Sequence, residues 1–195
     1  MCAIGGATYD NGWTNLASVE CLSQGATAWV EVASLNTGRG NHGAAAVGDA
    51  IFVVGGYDSG LLSSVEALDL GADGGRWEEK APMPTARNYL AVAASGTKLF
   101  AVGGYAWPDT LDTLEIYESA TDSWSAAAPM PTARGELAAA IVGNTLFALG
   151  GYGPTLYPDG HPLDVVEAFD IEGGSWVVAE PMAMSRVGLA AIAGP

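Results

Sequence analysis

The side chains with the strongest claim on chemistry recur in step with the chain. Arg39, Arg87, Arg134 and Arg186 each follow a tryptophan (Trp29, Trp77, Trp124, Trp176) by ten residues, and Glu20, Glu66, Glu115 and Glu167 precede those tryptophans by nine to eleven. An arginine and a carboxylate at one site could grip an anion or orient a sugar. Repetition at every period favours another use: the four arginines pair with acids or backbone carbonyls inside the scaffold. The two histidines, His42 and His161, lie far apart in sequence, and a lone loop histidine is ordinarily solvated. With only two histidines no set of metal ligands can be assembled, so no metal and no cofactor are expected. Each Gly-Gly pair is followed by neither helix nor lysine, which excludes a phosphate loop. A Ser-His-Asp triad cannot be judged from spacing. Catalysis finds little support, and no catalytic residue is assigned.

The elements that must position these groups are set by a sequence written four times. Leu99-Phe100-Ala101-Val102-Gly103-Gly104-Tyr105 is echoed by Ile51 to Tyr57, by Leu146 to Tyr152 and, more weakly, by Met1 to Ala7. Each is a short apolar run stopped by two glycines, the signature of a buried strand whose end needs positive φ or close backbone approach. Four strands are expected per repeat. The first is small and apolar: 42–47, 90–94, 137–142 and 189–193. A tight turn leads to the second, the Gly-Gly run, and the third carries the glutamate. The fourth starts at the tryptophan and ends at prolines such as Pro82 and Pro129, which cannot donate to a ladder. A four-stranded sheet has two apolar faces, and stacking such sheets about an axis buries both.

A period near 50 residues with a double glycine and a late tryptophan resembles the kelch repeat of one family of β-propellers. The resemblance implies an all-β propeller, and the four repeats make it a single domain over 1–195 of four kelch-type four-stranded blades, fewer than kelch rings usually have. The blades are expected at 1–38 plus 186–195, 39–86, 87–133 and 134–185. The C-terminal strand would complete the first blade; the alternative is an open piece of a larger propeller. The tryptophans are expected to fill the wedge between blades.

Cys2 and Cys21 occupy strand positions held elsewhere by phenylalanine, alanine and isoleucine, which favours buried free thiols over a disulfide. The chain carries 22 acids against 7 bases, a net charge of −15. With the repeated arginines and glutamates set aside, eighteen acids face three bases, Arg76, Lys80 and Lys98. That field repels nucleic acid and anionic membranes and favours basic or neutral partners. There is no run of 18 apolar residues and no secretion-signal pattern at the N-terminus, so a cytoplasmic location is expected.

The loops between second and third strands, 7–18, 57–64, 105–113 and 152–165, vary in length on one face of a fixed scaffold, where binding surfaces usually lie. They hold Tyr9, Trp13, Trp107 and Tyr157 among acids and His161; aromatics in polar surroundings make hot spots. The resemblance adds the residues after the double glycine and after the arginine as a pocket mouth: Tyr57, Tyr105 and Tyr152, then Gly40, Asn41, Asn88, Tyr89, Gly135 and Glu136. The pattern breaks at Ala7 and at Val187-Gly188. Partner-binding candidates are therefore Trp13, Asn41, Tyr57, Asn88, Tyr89, Tyr105, Trp107, Glu136, Tyr152 and Tyr157. The function implied is a protein-interaction module that takes a protein or peptide, as in substrate-recognition and scaffold relatives. A carbohydrate-active kelch enzyme such as a sugar epimerase, or an inactive piece of a larger kelch protein, is the alternative.

Overall fold

The computed structural model describes residues 1–9, 12–71, 75–153 and 160–193. The strands, in chain order, are β1 (Cys2–Ile4), β2 (Ala7–Tyr9), β3 (Trp13–Asn15), β4 (Val19–Cys21), β5 (Val30–Glu31), β6 (Gly43–Val47), β7 (Ala50–Val54), β8 (Val65–Asp69) and β9 (Glu78–Lys80). They continue with β10 (Ala91–Ser95), β11 (Lys98–Val102), β12 (Tyr105–Ala106), β13 (Asp109–Thr110), β14 (Leu114–Glu118), β15 (Ser123–Ala126), β16 (Ala138–Val142), β17 (Thr145–Leu149), β18 (Val166–Asp170) and β19 (Ser175–Val178). Among the described residues no helix is long and apolar enough to cross a membrane.

Three antiparallel sheets have four strands, ordered β6-β7-β8-β9, β10-β11-β14-β15 and β16-β17-β18-β19. A fourth sheet has three, β1-β4-β5, and two loops fold into the small ribbons β2-β3 and β12-β13. The register repeats: Phe52 faces Ala67, Phe100 faces Ile116 and Phe147 faces Ala168. Alternation puts Phe100 and Val102 on the face toward the last sheet, and Leu99 and Ala101 on the face toward the sheet before. Three apolar clusters result, one at each junction between consecutive sheets. The innermost strands β6, β10 and β16 lie side by side, and their alanines and glycines permit it. A side-chain carbon on Gly43 would come within 2.2 Å of Val92.

The repeated residues are the fasteners between and within these sheets. Gly55 and Gly56 have φ of 63° and 102°, and side-chain carbons there would sit 2.7 Å from the Arg87 carbonyl oxygen and 2.8 Å from that of Gly40. In return Gly56 N–H donates to the Arg87 carbonyl at 2.9 Å, a bond repeated by Gly6, Gly104 and Gly151 to Arg39, Arg134 and Arg186. The indoles bridge the same junctions. Trp77, Trp124 and Trp176 donate to the carbonyls of Ala33, Ala81 and Ala128, just past the outer strand of the preceding sheet, at 2.8–2.9 Å. Three of the four arginines pair as expected, buried to 0% exposure: Arg39 with Glu66, Arg87 with Glu115 at 2.9 Å, Arg134 with Glu167 at 2.6 Å.

Two expectations need correction, those for Trp29 and for the cysteines, and the C-terminal strand expected to close the first sheet is not formed among the described residues. Residues 189–193 form no strand and do not pair with β1; Ile192 is 92% exposed, and the first sheet keeps three strands. Consistently, Arg186 and Glu20, which hold the fourth arginine and glutamate positions, are both exposed. Trp29 is 44% exposed: among the described residues no neighbouring sheet receives its ring. The cysteines are not free thiols. Cys2 and Cys21 are direct partners across β1 and β4, their Cα atoms 4.1 Å apart, and they form a disulfide. So narrow a cross-strand pair brings the side chains together, which outweighs their resemblance to neighbouring apolar positions.

Candidate functional site

Each second strand delivers its Gly-Gly and the residue after it to one end of the sheets, where the chain pairs with the residue following the arginine. Tyr57 bridges Gly40, Tyr105 bridges Asn88, and Tyr152 bridges Gly135. The next residue along, two after each arginine, adopts the left-handed conformation: Asn41 at φ 55°, Tyr89 at 53°, Glu136 at 55° and Gly188 at 59°. Three of these are not glycine, and a tyrosine there is uncommon. The reason lies in the hydrogen bonds. Tyr89 N–H donates to the Asn41 carbonyl at 2.8 Å, Glu136 N–H to the Tyr89 carbonyl at 2.9 Å, and Gly188 N–H to the Glu136 carbonyl at 3.0 Å. A belt of main-chain bonds thus links sheet to sheet, and its side chains are left on the surface of this face.

Between the second and third sheets these residues enclose a groove of about 370 Å³ lined by Tyr57, Leu61, Asn88, Tyr89, Tyr105 and Trp107. Tyr105 is its fixed floor, 8% exposed. Its ring lies on Gly135, where a side-chain carbon would come within 2.6 Å of it. Tyr89 meets that ring edge-on, with centroids 5.7 Å apart and planes at 72°. Trp107, at the tip of the β12-β13 ribbon, is 76% exposed and forms the outer wall. Large aromatic faces left this open on a protein surface mark interaction sites more than packing.

The electrostatics of the groove are one-signed. Burial, then the Glu136 charge, pushes the Tyr105 phenol well above its ordinary range, with Tyr152 and Tyr89 adding to the shift. Burial and Glu136 also raise Tyr89, against a side-chain hydrogen bond with Asn41. Burial raises Glu136 itself. No basic side chain lines the groove. Arg76 and Lys80 line a different concavity, and Lys98 opens β11 at the end away from Tyr105. That other concavity, about 520 Å³, lies between the outer strands of the second and third sheets. Its polar groups serve one another: Lys80 pairs with Glu78 at 2.9 Å, and Asp122 accepts from Tyr117 at 2.7 Å and from the Ala81 N–H at 2.8 Å.

Of the ten residues singled out from sequence, five line the groove: Tyr57, Asn88, Tyr89, Tyr105 and Trp107. Asn41, Glu136 and Tyr152 act on Tyr89 or Tyr105 from beside it. Trp13 does not join them. It sits on the β2-β3 ribbon opposite Tyr9, 65% exposed. Tyr157 lies outside the described residues. Sequence reasoning missed Leu61. It precedes Leu62, whose N–H donates to the Gly56 carbonyl, as Leu16, Leu111 and Leu163 do to Gly6, Gly104 and Gly151. That leucine recurs in every repeat and would have fixed the loop's return path and its neighbour's place. Among the described residues no group of three or more His, Cys, Asp or Glu could hold a metal ion.

Compared with known protein families, residues 38–84, 86–131 and 133–183 each match the family described as Kelch motif. No curated protein matches the chain.

Proposed function

The chain belongs to the kelch-repeat family, and on that premise we propose that it is a protein-binding module that engages its partner at the aromatic groove between Tyr57 and Trp107. Kelch repeats are in general protein-interaction modules. The observation that carries the assignment to this face is the groove itself, with four aromatic side chains gathered from two successive repeats and unmatched by any base. A protein or peptide of basic or neutral character fits it, given the net charge of −15. The test is selection of peptides from a displayed library on the immobilised chain, repeated on Tyr57→Ala and Trp107→Ala. Both residues are exposed, so the scaffold should hold. Binding should fall at least about tenfold in each variant, as for a hot-spot aromatic. Peptides bound equally by both variants and the parent would overturn the assignment.

The arrangement of the repeats supports a second proposal, that 189–193 complete the first sheet and close four blades into a ring. The repeat register would set Ala190 opposite Ile4, Ala191 opposite Ala3 and Ile192 opposite Cys2, and would bring Arg186 to Glu20 as a fourth buried pair. Slow amide exchange at Ala191 and Ala193, matching that of β16, is the expected result. Exchange at the rate of an unstructured chain would leave the sheets as an open arc.

A further inference from the structure

Resting on that reading of the groove, we infer that its occupant is a methylated lysine side chain of a partner protein, the alkylammonium head held against the aromatic faces of Tyr57, Tyr89, Tyr105 and Trp107. The lining contains no charged side chain and one amide, that of Asn88. An unmodified ammonium brings three N–H donors and a tight hydration shell, and against these the lining offers phenol oxygens and one amide but no carboxylate. Methylation removes the donors and spreads the charge over methyl groups. What remains is a cation with an apolar surface, which aromatic faces attract through their quadrupoles.

The arrangement of the rings supports this occupant. Tyr89 and Tyr105 stand at 72°, so they form a corner with two walls instead of a flat stack. Tyr105 is held in place by Gly135 behind it, and Trp107 lines the groove with most of its ring exposed. The volume of about 370 Å³ leaves room for the methylene stem as well as the head. Charge complementarity fixes the sign. Asp58, Asp109, Asp112 and Glu136 lie on the segments that carry the groove residues, and no base lines it.

The experiment is calorimetric titration of the full chain with acetyl-trimethyllysine amide. Acetyl-lysine amide, choline and the isostere with a quaternary carbon in place of the quaternary nitrogen are titrated alongside. Trimethyllysine should bind at least about tenfold more tightly than either the carbon isostere or unmodified lysine, the size of a desolvated cation–π contact. Trp107→Leu keeps an apolar wall. It should weaken trimethyllysine about tenfold and the carbon isostere by less than about twofold. Tyr57→Leu should act in the same direction, and an unchanged melting curve certifies either variant. Equal binding of the carbon isostere, equal binding of lysine, or no binding by trimethyllysine overturns the inference. Tighter binding of choline overturns the lysine source. Those outcomes leave the protein-binding groove standing, which fails instead when selected peptides ignore Tyr57→Ala and Trp107→Ala.

Discussion

His42 occupies the position that leucine holds in the next two repeats, as Leu90 and Leu137. Burial there, with the Arg39 charge beside it, lowers its pKa to about 4. The unfolded chain binds this proton near the ordinary value of 6.5, so between these two values the unfolded state holds more protons than the folded one. Stability is therefore lost as pH falls from 7 toward 4, by on the order of 1–2 kcal/mol by pH 5 from this residue alone. His42→Leu should remove that part of the slope, which urea titrations at pH 7 and pH 5 would measure. A slope unchanged by the substitution would refute the account. Gly135 is the second residue whose identity is dictated by a neighbour. Gly135→Ala drives a methyl into the Tyr105 ring, so it should cost about 1–3 kcal/mol of stability and disturb the Tyr89–Tyr105 corner. Loss of the close ring contacts between those two tyrosines in NOE spectra is the direct check. Much of this was legible beforehand. Tyr57, Asn88, Tyr89 and Tyr105 could be placed because they stand at fixed offsets from the periodic glycines and arginines. Leu61 was legible only through the leucine beside it, Leu62, whose counterparts recur in every repeat; the left-handed geometry of Tyr89 and Glu136 could not be read, because backbone torsion leaves no trace in residue type where the residue is not glycine.

At the scale of the element, each junction between sheets is held by the same parts: a glycine N–H on an arginine carbonyl, an indole on an alanine carbonyl and a face of apolar side chains. Each of the three four-stranded sheets, in turn, is locked internally by its buried arginine and glutamate. Arg134 donates to the Val165 carbonyl at 3.0 Å and pairs with Glu167, which also accepts from Thr132 at 2.7 Å. Removing one partner strands the other charge, so Glu167→Ala should destabilise the domain by about 3–5 kcal/mol. Trp124→Ala should cost a similar amount, about 3–5 kcal/mol, through lost packing against Tyr117 and the lost bond to Ala81. Thermal unfolding of both variants tests the pair, and a shift of under a couple of degrees in either would contradict its placement. These parts were readable because chemistry that serves the scaffold must recur with it. Trp29 and Arg186 carry the same sequence signature as their siblings yet lie exposed, since the signature names the fastener and not whether an adjacent sheet is there to be fastened.

For the whole molecule, the first sheet is the weak one. Among the described residues it lacks an innermost strand, and β4 is the one strand paired with β1. The Cys2–Cys21 bond joins those two strands across 19 residues of sequence. A loop of that order contributes about 3 kcal/mol by restricting the unfolded chain. Reduction, or the double substitution Cys2→Ala with Cys21→Ala, should lower the melting temperature and raise amide exchange in β1 and β4 before the other sheets are touched. Uniform exchange across all sheets would show that the bond does nothing local.

The belt through Asn41, Tyr89, Glu136 and Gly188 has one more implication. Its links are peptide groups, indifferent to which side chain rides above them, so long as that residue tolerates a left-handed turn. Natural variation can therefore rewrite what this surface grasps, from one relative to the next, without loosening the frame beneath it.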